Sequence, residues 1–275
     1  MAAQPVRLVR ILGLLSGVVA LVLAGAFLLR IPLVQSLWPW TGTYDRLAPL
    51  SYIFLASVLV AFGFPALWLS WRGELRAAAP IALDAIVVFA GWTVFMLQDY
   101  LAGGGSAQLL VTAIGCAVVL LGFIAAYTYT RRIPIQDPRP TPRLVRASFV
   151  VFIVVLLVAG AGLVLKLPNV FPWRLTAEAS VLYGWAFWGA AAYFAYGLFQ
   201  PRWALAAGQL IGFLAYDLVL IVPYVQHLAV VRDENRLSLI IYLVVITLSA
   251  LLASYYLFVN ERTRLFRSLR PALAT

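Results

Sequence analysis

Eight stretches of roughly twenty apolar residues run through this chain, at about 11–29, 50–71, 77–97, 107–130, 147–165, 179–199, 203–224 and 237–259. At about 1.5 Å of rise per residue, a helix of that length crosses a hydrocarbon layer about 30 Å thick. The stretches are too long for strands, and none shows the period-two alternation of a membrane barrel. Inside lipid every backbone polar group has to be paired within its own segment, which leaves the helix as the local structure. The chain therefore reads as all-α: a polytopic transmembrane bundle of eight helices. Composition agrees, with 64% of the 275 residues hydrophobic and 11% charged, where a soluble domain carries about 25% charged residues.

The net charge of +10 would suit nucleic acid in a soluble protein. Here the charges sit in short loops between apolar runs, where arginine sets orientation and meets anionic lipid. The expected partners are the bilayer itself and anionic lipid at the cytoplasmic arginines, with no nucleic acid. With the amino terminus placed in the cytoplasm, 14 of the 20 Lys and Arg residues fall on the cytoplasmic side, among them Arg7, Arg10, Arg72, Arg76, Arg131, Arg139, Arg143 and Arg202. Both termini are then cytoplasmic, as expected for a multi-pass protein of the cell membrane, specifically a bacterial cytoplasmic membrane.

The first apolar run has a basic start and small residues near its end, as a secretory leader would. An internal copy argues against that reading. Laid over 143–168, residues 7–32 repeat "RLVR" identically, Arg30 meets Lys166, and Pro32 meets Pro168. Apolar matches between two membrane helices mean little, so the basic and proline matches at the ends carry the signal. Beyond the helix, "WPW" (38–40) corresponds to "FPW" (171–173), and "RLAPLS" (46–51) parallels "RLTAEAS" (174–180). The expectation is two parallel four-helix repeats, residues 1–136 and 137–275, joined by the proline-rich "IPIQDPRPTPR" (133–143) and related by an axis along the membrane normal. The repeated PW…RL(A/T) loops resemble those of a group of uncharacterised bacterial multi-span membrane proteins. The resemblance covers the two outer loops and implies no activity and no site residues.

The intramembrane carboxylates are the first candidates for a site. A charged aspartate at mid-bilayer costs about 2.5–3.5 kcal/mol on insertion scales. Asp84 lies near the inner end of its span, within possible approach of Arg76. Asp217 lies deeper, and Gln209 and Tyr216 accompany it at helical spacing. Trp188 stands mid-span, able to stack on a flat ligand or to pack on a neighbouring helix. These five residues form the candidate cavity, with interhelical packing as the alternative reading. In the outer loops Trp38, Trp40, Arg46, Trp173 and Arg174 are either lids over a cavity or interfacial anchors. Gly13 and Gly17 form a GxxxG pair that suggests close helix contact. In the tail, Leu265, Phe266 and Leu269 alternate with arginines, as in a segment lying on the inner leaflet.

With Cys116 and His227 each alone of its kind, an intrachain disulfide, two-histidine haem ligation and HExxH zinc chemistry are excluded within this chain. There is no P-loop and no GxSxG. No cofactor is called for and no enzymatic activity is expected. The leading expectation is binding or transport of a small apolar or amphipathic molecule between the repeats. The rival is a non-catalytic structural or accessory subunit of a larger membrane complex.

Overall fold

The computed structural model describes residues 3–40, 48–104 and 106–265. Among them are eight α-helices: α1 (Ala3–Leu28), α2 (Pro49–Arg72), α3 (Ala78–Asp99), α4 (Ala107–Thr130), α5 (Arg143–Val164), α6 (Ala177–Phe199), α7 (Trp203–His227) and α8 (Asp233–Ser254). Short 3-10 turns at Pro32–Leu37 and Leu75–Ala77 and π-turns at Tyr100–Gly104 and Tyr255–Val259 complete the regular structure. The described residues contain no strand, only one isolated bridge between Pro140 and Arg202. Large aliphatic side chains stand exposed along α1, α4, α5 and α8, a surface that requires lipid rather than water. This is the bundle of a multi-pass integral membrane protein.

Seven helices are long and apolar enough to cross a membrane, where the sequence suggested eight. The exception is α6, which has the length but whose tyrosines, tryptophans and glycines lower its hydropathy. Its position explains the composition. Thirteen of its 23 residues are buried, against four of 24 in α4, so α6 faces protein where α4 faces lipid. A helix enclosed by others is not held to lipid solubility.

Neighbours in sequence pack in antiparallel pairs, α1 on α2, α3 on α4, α5 on α6 and α7 on α8. Two further contacts join the pairs, α3 against α6 and α2 against α7, while α2–α3 and α6–α7 barely touch. Glycine sets the closest approaches. A side chain at Gly13 would collide with Ser70, and one at Gly17 would press on Leu67 and on the Gly63 carbonyl. The GxxxG pair is thus the surface on which α1 meets α2. Phe54 of α2 is the aromatic centre of the core, with ring centroids 4.5 Å from Tyr183 (α6), 5.1 Å from Phe171 and 6.1 Å from Tyr216 (α7).

The ends of α1 and α5 close in the same way. Arg30 (φ 50°) and Lys166 (φ 56°) both take the left-handed conformation. The amide of Ile31 bonds the Ala26 carbonyl and that of Arg30 the Phe27 carbonyl; Leu167 bonds Gly162 and Lys166 bonds Leu163 in the same pattern. This is the Schellman closure of a helix, with a basic residue where glycine is usual. Pro32 and Pro168 follow two residues later, where a helix cannot continue. The linker 133–142 is irregular and is fastened to the start of α7: the amide of Thr141 bonds the Pro201 carbonyl and that of Trp203 the Arg139 carbonyl.

Candidate functional site

The candidate residues fall into three separate places. Asp84 sits where α3 crosses α6, against Gly189, whose missing side chain leaves room for its carboxylate. It makes no bond to Arg76, which donates instead to Gln200 Oε1 (3.1 Å). One turn further along α6, Tyr193 lies within electrostatic reach of Asp84. The amide of Gln209 on α7 donates to the Tyr193 carbonyl. The Tyr193 hydroxyl and Gln209 Oε1 are both buried without a hydrogen-bond partner. Asp84 and Gln209 thus both approach Tyr193, one through its charge and the other through the backbone carbonyl, without a hydrogen-bond chain between them.

Asp217 lies eight residues beyond Gln209, roughly 12 Å further along α7. It is 1% exposed. Ser249 of α8 faces it, yet neither carboxyl oxygen has a hydrogen-bond partner within normal geometry. Beside it the Tyr216 and Tyr242 hydroxyls share a 2.6 Å hydrogen bond across α7 and α8. Trp188 belongs to a third place. Its indole rests on Gly160 of α5 and donates to the Leu157 carbonyl (3.2 Å). Trp185, three residues earlier, occupies the space left by Gly91 of α3 in the same fashion.

The tryptophans of the loops at 38–40 and 171–173 are buried rather than lipid-facing. Trp40 donates to Asp99 at the end of α3 (2.6 Å), and Trp173 donates to Ser51 Oγ at the start of α2 (2.9 Å). The second loop thereby docks on a helix of the first half. Side-chain amides hold both loops from behind: Gln108, in the first turn of α4, donates to the Trp38 carbonyl (3.1 Å), and Asn235, in the first turn of α8, to the Phe171 carbonyl (2.7 Å). Arg174 pairs with Glu234 at 3.6 Å on the surface, where such pairs contribute about 0–1 kcal/mol. Arg46 lies outside the described residues, as do Phe266, Leu269 and the tail arginines from Arg267 onward.

Another face of α7, among the described residues, borders a space large enough for a molecule. An open groove of about 790 Å³ runs between α2 and α7, flanked by Leu14 of α1 and by Phe258 and Leu265 after α8. Phe64, Leu67 and Trp71 line it from α2, Leu214 and Leu218 from α7, and nearly all of its surface is apolar. Its volume falls in the usual range of ligand sites, about 300–1,000 Å³. At the arginine-rich end of the bundle the groove meets a small polar pocket of about 40 Å³, the two sharing Trp68 and Leu265 as walls.

Charges of both signs line that pocket: Arg72, Glu74, Asp137 and Arg139. Arg139 holds Asp137 through Nε (2.9 Å to Oδ1) and Nη2 (2.5 Å to Oδ2), and donates Nη1 to the Arg262 carbonyl (2.7 Å). Burial pushes the Asp137 carboxyl up, but these bonds outweigh it and leave it below its ordinary value. Glu74 is 8% exposed and accepts the Gln136 amide at 3.3 Å. Burial raises its carboxyl above the ordinary value, with the Gln136 bond opposing. Arg72 is exposed and forms no ion pair among the described residues.

Sequence reasoning passed over this groove for a physical reason. Lipid-facing and groove-facing positions carry the same apolar residues, so no pattern separates them. One signal was present: Trp68 and Trp71, at i and i+3, stand immediately before Arg72 and Glu74. Comparison with protein-family models, with curated proteins and with solved structures finds no match to this chain.

Proposed function

We propose that the protein is a non-enzymatic component of a bacterial cytoplasmic membrane that binds or moves a small apolar or amphipathic molecule between its two halves. The observation that carries this reading is the groove of about 790 Å³ between α2 and α7, apolar along its length and charged at one end. That surface matches a molecule with an apolar body and a polar head. α2 lies in residues 1–136 and α7 in residues 137–275, so the groove is a seam between the proposed repeats.

Three features support the duplication. The helix closures at Arg30 and Lys166 are the same. The amide braces Gln108 to Trp38 and Asn235 to Phe171 occupy corresponding places. Exchanging the halves turns each helix pairing into another observed one, α3–α6 into α7–α2 among them. If α6 crosses with the seven apolar helices, the even count supports both termini on one side, and the arginines at that end support the cytoplasmic side.

The test is native mass spectrometry of the chain purified in mild detergent. The expected result is one small amphiphile retained per chain, lost in Leu218→Trp, which fills the groove at an exposed position, and kept in Val118→Trp on the outer face of α4. An empty chain, or equal loss in both variants, overturns the reading.

A second reading, a subunit of a larger membrane complex, is favoured by one observation. Gly115 and Gly122, on one face of α4, have no protein atom within 4 Å of where a side chain would begin, which leaves a small-residue surface open to another helix. A stoichiometric protein partner in the same spectrum, lost in Gly115→Leu, would favour it.

A further inference from the structure

The polar pocket at the end of the groove narrows what the ligand can be. This inference rests on the amphiphile reading above and deepens it. The pocket holds two carboxylates, Glu74 and Asp137, and two guanidiniums, Arg72 and Arg139. Arg139 and Asp137 neutralise one another at close range. That leaves Glu74, buried without an ion pair within 4 Å among the described residues, and Arg72, exposed and close enough for its charge to reach both carboxylates. A second cation stands by the rim: Arg10 of α1 donates Nη2 to the carbonyl of Trp71, itself part of the groove wall (3.2 Å). Trp68 and Trp203 line the same pocket.

Each part of that arrangement selects a chemical group. A buried carboxylate in a pocket that tryptophans also line recognises a cation, through a charge-assisted hydrogen bond and through any ring face turned to it. Exposed arginines at the rim recognise phosphate. The apolar groove that begins at Trp68 and Leu265 accepts acyl chains. The inner volume of about 40 Å³ suits a group only a few water molecules in size. It admits a primary ammonium with its three N–H donors and leaves little space for three N-methyl groups.

We propose that the groove and its end pocket form a binding site for a glycerophospholipid with a primary-ammonium headgroup. The ammonium sits at Glu74 in the pocket that Trp68 and Trp203 line, the phosphate at Arg72 and Arg10, and the acyl chains between α2 and α7. The polarity of the site also fixes the lipid's orientation, headgroup toward the arginine-rich end.

The test uses the full chain, stripped of native lipid and reconstituted in vesicles of equal parts phosphatidylethanolamine, its N-monomethyl and N,N-dimethyl derivatives, phosphatidylcholine and phosphatidylglycerol. The protein is re-extracted in mild detergent and its retained lipid is weighed by mass spectrometry. The expected result is enrichment of phosphatidylethanolamine over phosphatidylcholine by about tenfold, the discrimination of one charge-assisted hydrogen bond, falling stepwise with each added methyl. Glu74→Gln should bring the enrichment to near one while total lipid changes little. Equal retention of all five lipids, preference for phosphatidylglycerol, or undiminished enrichment in Glu74→Gln overturns the headgroup assignment alone. Retention of no lipid, or a second chain or another protein in the lipid's place, overturns the amphiphile reading with it. The wild-type methylation series stands without any variant, so a Glu74→Gln protein that fails to fold leaves the proposal testable.

Discussion

At the scale of single residues, the carboxylates divide by whether anything compensates their burial. Asp137 is held by Arg139, whereas Glu74 has backbone amides and the charge of Arg72 within reach, and Asp217 has only Ser249 facing it, outside normal hydrogen-bond geometry. A buried acceptor left without a partner costs about 1–3 kcal/mol. Asp217→Leu, isosteric in its branching, should therefore raise thermal stability in detergent by an amount of that order, and Asp217→Asn should be close to neutral. A fall in melting temperature for both would mean that Asp217 holds α7 to α8. Glu74 gives a pH-dependent prediction. Its folded carboxyl binds a proton more readily than the unfolded one, so its contribution is most favourable below about pH 4.5, the ordinary value. It worsens as pH rises through the higher folded value. Asp137 runs the other way, its contribution lost as pH falls below the ordinary 3.8. Glu74→Gln should thus gain stability relative to the native chain as pH is raised from 4 to 7 in a thermal-melt series. A gap that stays constant with pH would contradict the assignment.

At the scale of elements, helix boundaries were legible because lipid exposes them. The runs end at charged or polar residues, proline or a glycine-rich turn, and α4 spans 107–130 just as its run does, although α1 begins at Ala3, eight residues before its run. The basic-then-proline ends of α1 and α5 were legible as a match, but their cause was not. Arg30 and Lys166 are the left-handed residues of two identical helix closures, and only φ reveals it. A non-glycine residue there costs about 1 kcal/mol. Arg30→Gly and Lys166→Gly should each add about that much stability, whereas Arg30→Val should remove more, both readable as shifts in melting temperature. What stayed hidden were contacts between elements. The Trp188 indole resting on Gly160, or Trp173 reaching Ser51 on the other half, depends on which face of an apolar helix turns inward. Gln108 and Asn235 perform equivalent work from helices whose sequences no longer align.

At the scale of the whole molecule, α6 is surrounded by protein while α1, α4, α5 and α8 present apolar side chains outward. The seam between α2 and α7 opens as an apolar groove. The central claim is that this groove, and not the general lipid-facing surface, holds the ligand. It is tested most directly by photolabelling the reconstituted protein with a phosphatidylethanolamine carrying a photoreactive group in its acyl chain and mapping the adducts by peptide mass spectrometry. The account predicts adducts concentrated on Phe64, Leu67, Leu218 and Phe258, suppressed in Leu218→Trp. Adducts spread evenly over exposed positions such as Val111, Val118 and Leu121 of α4, and unchanged in Leu218→Trp, would contradict it.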